Sequence, residues 1–106
     1  MTKRSNVGRR KGFMDLYLHT RGACSTRYGH TLSEEEFVLM GEMVRRREGV
    51  MVLKQSGSRS IWLLTLPFGE IYAVYNRELS LPCTVLEKYM VDGMVRDAHS
   101  SYEEAA

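Results

Sequence analysis

The pattern of apolar and polar positions predicts two helices in the first half of the chain. Over residues 13–28 apolar side chains recur near one helical face, although part of this segment also alternates as a strand would. We favour a helix from about Tyr17 to Tyr28. Gly29 is predicted to end it, because glycine is preferred just past a helix C-terminus.

The second predicted helix is indicated by the residues at its two ends. Ser33 and Glu36 have the spacing of a capping box, in which each side chain bonds the backbone N–H of the other residue. An apolar stripe follows, and Gly49 is predicted to end the helix. The basic run Arg45–Arg47 is interpreted as a solvated helix end.

The second half of the chain alternates between short β-rich runs and turns, which predicts an antiparallel meander. Pro82 places the last strand at an edge of the sheet, because proline has no N–H to donate to a neighbour. In a competing interpretation Thr84 is the N-cap of a helix; we favour the strand, followed by a short helix from about Glu87 to Val95. The predicted strands cover residues 50–54, 60–66, 70–75 and 79–86.

The predicted fold class is therefore α+β: two N-terminal helices, a four-stranded antiparallel meander and a short C-terminal helix. A chain of 106 residues is expected to form one domain, here over residues 13–98. Charge divides the chain further. Residues 1–12 carry five bases and no acid, which predicts a basic flexible arm, and residues 99–106 are predicted to be an acidic flexible tail.

Composition narrows the expected environment. No apolar run approaches the roughly 18 residues of a membrane span, and no apolar segment follows the basic start as in a secretory signal. We therefore expect a cytoplasmic protein without a membrane partner, in which Cys24 and Cys83 are free thiols. Together with His19, His30 and His99 these cysteines form no compact ligand pair, so we expect neither a metal site nor a cofactor.

Four features in chain order attract attention as candidate chemistry. His19 lies near the start of the first helix, and Arg27-Tyr28-Gly29 follows eight residues later. Arg59 precedes an apolar strand, and Thr84 opens the motif Thr84-Val85-Leu86 on the last strand. Each has a plainer structural interpretation as well, since arginine is common at helix and strand ends and threonine is a frequent strand residue.

This order of motifs resembles a group of small phage and bacterial proteins allied to the barnase–EndoU–colicin–RelE superfamily of ribonuclease toxins. The resemblance covers roughly residues 17–87. Tyr75 matches the tyrosine of the family's "VVYD" strand, as Thr84 matches the threonine of its final "VTVL". Three positions depart from the pattern: Ala23 stands where an arginine often follows the histidine, Thr20 replaces a small residue, and Asn76 replaces an aspartate.

The resemblance implies a small metal-independent endoribonuclease, or a toxin-like RNA-cleaving domain. His19 would transfer protons, because its unperturbed pKa lies near physiological pH, and Arg59 would stabilise the phosphate charge with its planar fork of donors. Thr84 would orient the phosphate from a strand. Further expected contacts to the nucleic acid are Arg27, Tyr75, Lys54, Arg9, Arg10 and Lys11.

The sequence also permits functions without chemistry. The first is a non-enzymatic, phage-type inhibitor or adaptor that binds a host protein or a nucleoprotein complex, since a fold does not fix a function. The second is a module for double-stranded RNA, but its last helix would need a basic start, and residues 87–92 are mostly acidic where charged. Convergence of His19, Arg59 and Thr84 in one concave site would favour the enzyme.

Overall fold

Three helices and a four-stranded antiparallel sheet make up the fold in a computed structural model, which confirms the predicted α+β class. The structure describes the backbone of residues 2–105 and the side chains of residues 12–100. The elements in chain order are α1 (Thr2–Tyr28), α2 (Glu34–Arg45), β1 (Val50–Lys54), β2 (Arg59–Leu66), β3 (Gly69–Asn76), β4 (Leu81–Leu86) and α3 (Lys88–Ala105).

Helix α1 ends where the sequence predicts but begins much earlier. Gly29 has a φ of +65°, the left-handed conformation that glycine adopts without a steric penalty, so the predicted stop is confirmed. The start predicted near Tyr17 is wrong, because the helix begins at Thr2 and includes residues 2–12 of the predicted arm. Lys and Arg have high helix propensity, so a helical segment needs no apolar stripe unless it packs on a core.

The capping box at the start of α2 is confirmed. The Glu36 N–H donates to Ser33 Oγ at 3.0 Å, and the Ser33 N–H donates to Glu36 Oε1 at 2.8 Å. His30 Nε2 lies 3.0 Å from the same carboxylate oxygen, and its ring stacks on Phe68 at 3.8 Å. Desolvation alone raises the pKa of Glu36, but the hydrogen bonds from Ser33 and His30 outweigh it and hold that pKa below its usual value.

Helix α2 ends in a Schellman motif whose left-handed residue is Arg47, with a φ of +56°. The Glu48 N–H donates to the Met43 carbonyl at 2.8 Å, and the Arg47 N–H donates to the Val44 carbonyl at 3.0 Å. The prediction that Gly49 ends the helix is therefore wrong. Two residues after the left-handed position, Gly49 instead lies against strand β2.

The meander is confirmed, with strand order β1-β2-β3-β4 and antiparallel pairing throughout. Strand β4 lies at an edge, as Pro82 predicts. Thr84 pairs with Val74 within β4, and the following helix begins at Lys88, so the alternative that made Thr84 a helix N-cap is wrong. The register shifts between Val74 and Tyr75, which leaves Cys83 as an extra residue on the edge strand.

The sheet carries helices on both faces. Side chains of α1 and α2, among them Tyr17, Phe37 and Met40, form the larger buried cluster with one face. Residues of alternate parity on the strands face the other way and pack with Val91 of α3. Helix α3 continues to Ala105, beyond the end predicted at Val95 and through most of the predicted tail.

Candidate nucleic-acid interface

One end of the sheet carries an open groove of about 440 Å³. It lies between the C-terminal end of α2, the β1–β2 turn, the start of β2 and the end of β3. No Asp or Glu lines it among the residues whose side chains the structure describes. We call it the basic groove, after the charged residues that line it: Arg45, Arg47, Lys54, Arg59 and Arg77.

The topology explains why these cations meet. In a meander the end of β1, the start of β2 and the end of β3 share one end of the sheet. Lys54 pairs with Ser60 across β1 and β2, and Arg59 pairs with Asn76 across β2 and β3. The Arg77 N–H then donates to the Ser58 carbonyl at 2.7 Å, which ties the end of β3 to the β1–β2 turn.

The charges of the basic groove are mostly available to a ligand. Arg45 Nη1 donates to the Ser80 carbonyl at 2.7 Å. The side chains of Arg47, Lys54, Arg59 and Arg77 are exposed and have neither a hydrogen bond nor an ion pair within residues 12–100. By contrast Arg46 lies outside the groove and is paired, with its Nη2 3.5 Å from a Glu42 carboxylate oxygen. Four solvated cations in one groove therefore lack an internal counter-charge.

The base of the basic groove is rigid. Trp62 and Tyr75 line it with only 6% and 7% of their surfaces exposed. The Trp62 indole N–H donates to Ser60 Oγ at 2.9 Å, which fixes the ring. In the turn above, Ser56 Oγ accepts the N–H groups of Ser58 and Arg59 at 3.3 and 3.1 Å. The cations are thus carried on a closed turn over a packed sheet.

A second groove of about 460 Å³ lies between α1 and the edge strand β4. His19, which is exposed, lines it together with Arg27 and Thr84, and we call it the His19 groove. Arg27 Nη1 donates to the Val85 carbonyl at 2.6 Å. The neighbouring Tyr28 hydroxyl donates to the Leu86 carbonyl and accepts the Tyr72 N–H at 3.0 Å. Arg27 and Tyr28 therefore fasten α1 to the sheet.

The candidate site residues are thus divided between two grooves. His19, Arg27 and Thr84 line the His19 groove, whereas Arg59, Lys54 and Tyr75 line the basic groove. The expected convergence of His19, Arg59 and Thr84 in one concave site is not observed. The side chains of the remaining candidates lie outside the described residues; these are Arg9, Arg10 and Lys11.

Sequence reasoning missed Arg47 and Arg77 as members of a site. The run Arg45–Arg47 was interpreted only as a solvated helix end, yet two of its three side chains line the basic groove and the third does not. A usable signal was present: Lys54 and Arg59 flank one turn, and Arg77 follows the strand that ends at the same side of a meander.

Other chemistry finds little support in the described side chains. Burial raises the pKa of the Cys24 thiol, and the nearby Glu36 charge raises it further. Burial also raises the pKa of Cys83, although the Arg59 guanidinium opposes part of this effect. Both thiols are therefore poor sources of a thiolate. Within the described part of the chain, no three His, Cys, Asp or Glu side chains group as metal ligands, and no helix has the length and apolarity to cross a bilayer.

Comparison of the chain with protein-family models, with curated proteins and with solved structures found no match. The resemblance to the ribonuclease toxin superfamily therefore stays a prediction from the quoted motifs. The argument for function rests on the two grooves.

Proposed function

We propose that the protein binds RNA, and that the basic groove holds the phosphates. The observation that carries this proposal is the segregation of charge. Residues 13–86 contain as many acids as bases, yet five cations and no carboxylate line this groove among the described side chains. Clustered Lys and Arg attract a polyanion because each neutralised phosphate releases condensed counterions.

A polymer fits the arrangement better than a single small anion. The cations come from four separate stretches of chain, around an open groove rather than from one loop around an enclosed cavity. Their spread along the groove suits successive phosphates of one strand. Arginine and lysine supply complementary contacts, since the guanidinium offers a planar fork of donors and the ammonium a compact point charge.

The test is a titration of a fluorescently labelled single-stranded RNA, followed by anisotropy at low and at moderate salt. We expect wild-type binding that weakens steeply with salt. Lys54→Ala, in the basic groove, should weaken binding by about 5-fold and make the salt dependence shallower. The matched control is Lys88→Ala, whose ammonium lies on α3 and pairs with Asp92 at 2.9 Å. Equal effects of the two substitutions would show that the groove is not the site.

A second candidate function is metal-independent RNA cleavage in the His19 groove. The observation that favours it is the placement of an exposed histidine beside Thr84 and Arg27 in one groove. Histidine can transfer a proton there, but the only arginine lining this groove already donates to the Val85 carbonyl. Phosphate stabilisation would then depend on the remaining N–H groups of Arg27.

Incubation of total RNA with the protein in EDTA tests this candidate. Cleavage by the wild type and none by His19→Ala, with unchanged circular dichroism, would support a ribonuclease centred on His19. Because His19 is exposed, the substitution should leave the fold intact. Absence of cleavage by the wild type, or its retention in the variant, would remove His19 as the proton-transfer group.

A further inference from the structure

Arg47 occupies a backbone conformation that favours glycine. Its φ of +56° brings the Cβ of an L-residue close to its own carbonyl, which is why glycine is common at this position of a Schellman motif. The hydrogen bonds from Glu48 and Arg47 to the last turn of α2 hold the backbone there. An arginine is thus kept in a strained conformation at a residue whose side chain lines the basic groove.

The preceding residue provides a contrast. Arg46 has a φ of −86°, an ordinary helical value, and its guanidinium contacts both Glu42 and Glu48 at 3.5 and 3.9 Å. Arg46 does not line the basic groove. Of two adjacent arginines, the unstrained one is ion-paired, and the strained one has no counter-charge within residues 12–100.

The rings below the groove are unavailable for stacking. Proteins that bind single strands through their bases present the open faces of aromatic side chains. Here Trp62 and Tyr75 are packed into the larger core cluster, with 6% and 7% of their surfaces exposed. What remains accessible in the groove is cationic and hydroxyl-bearing, with Ser56 and Ser58 in the turn beside the basic side chains.

We infer that the basic groove recognises the sugar–phosphate backbone of RNA irrespective of base, and that Arg47 is a phosphate-binding residue held there against the conformational preference of the helix end. This inference rests on the proposed RNA binding. Four cations without partners imply a slope near −3 for log K against log salt, since each phosphate neutralised on a single strand contributes about −0.7. Removal of Arg47 should change binding and stability in opposite directions.

The first measurement compares oligo(U), oligo(A) and a mixed-sequence RNA of equal length by anisotropy. Backbone recognition predicts dissociation constants within about 3-fold of one another. Binding that differs by more than 10-fold between the homopolymers would overturn base-independent recognition while leaving RNA binding intact. Failure to bind any of the three would instead contradict the proposed function itself.

The second measurement uses Arg47→Gly, which relieves the strained backbone and removes the charge. We expect RNA binding to weaken by about 5-fold, the salt slope to become shallower by about 0.7, and Tm to rise by about 4 °C. Arg47→Lys should restore binding without the gain in Tm, and Arg46→Ala should leave binding within about 2-fold of wild type. Unchanged binding by Arg47→Gly overturns the phosphate contact, and an unchanged or lower Tm overturns the strain argument.

Discussion

The double charge reversal Arg59→Glu/Arg77→Glu is expected to weaken RNA binding by about 100-fold or more at low salt. Both side chains line the basic groove, and neither has an ion pair or a side-chain hydrogen bond within residues 12–100. The reversal removes two phosphate contacts and places two carboxylates where phosphates would lie, so repulsion adds to the lost attraction. Since both side chains are exposed, the free energy of unfolding should change by less than about 1 kcal/mol.

Anisotropy with a labelled RNA measures the loss, and thermal unfolding followed by circular dichroism measures the stability. The matched control is Arg21→Glu/Arg96→Glu, which changes the net charge equally at exposed residues of α1 and α3 outside both grooves. If the control weakens binding as much as the groove variant, total charge rather than the basic groove governs the interaction.

Replacement of Gly49 by alanine is expected to destabilise the fold by about 2 kcal/mol, which corresponds to a fall in Tm of roughly 10 °C. A Cβ at Gly49 would lie 2.5 Å from Leu64 Cδ2 and 2.8 Å from the Leu63 carbonyl oxygen. The leucine side chain could rotate, but the carbonyl belongs to strand β2, which pairs with a strand on each side. The chain entering β1 would have to move away from the sheet.

Chemical denaturation with urea is the appropriate measurement, since it reports the free energy of unfolding directly. Gly57→Ala is the matched control, because a Cβ there meets nothing within 4 Å. It should alter the free energy of unfolding by no more than about 0.5 kcal/mol. A Gly49→Ala variant as stable as Gly57→Ala would contradict the close approach to β2.

The elements that could be predicted are those with local signals. The Ser33–Glu36 capping box marks the start of α2 through bonds within four residues, and Pro82 marks an edge strand because its missing N–H is a property of the residue itself. The end of α2 could not be placed in this way. Gly49 serves a tertiary contact with β2, while Arg47 adopts the conformation that a glycine was expected to adopt.

The candidate site was predictable only in pieces. Lys54, Arg59 and Tyr75 were proposed as nucleic-acid contacts, and the structure places them in one groove. Their separation from His19 depends on how α1 lies across β4, and that is set by side-chain bonds to the edge strand rather than by any periodicity. Helix α1 itself was predicted too short because its first half lacks the apolar repeat on which the prediction relied.

The attachment of α1 to β4 also sets an order of events during synthesis. Arg27 and Tyr28 bond to carbonyl groups 58 residues further along the chain. At about 5–20 residues per second, the ribosome makes those partners roughly 3–12 s after the helix. Until then the apolar side of α1, with Tyr17 and Cys24, has no sheet to cover it. The nascent chain can acquire its native topology only when its last strand has emerged.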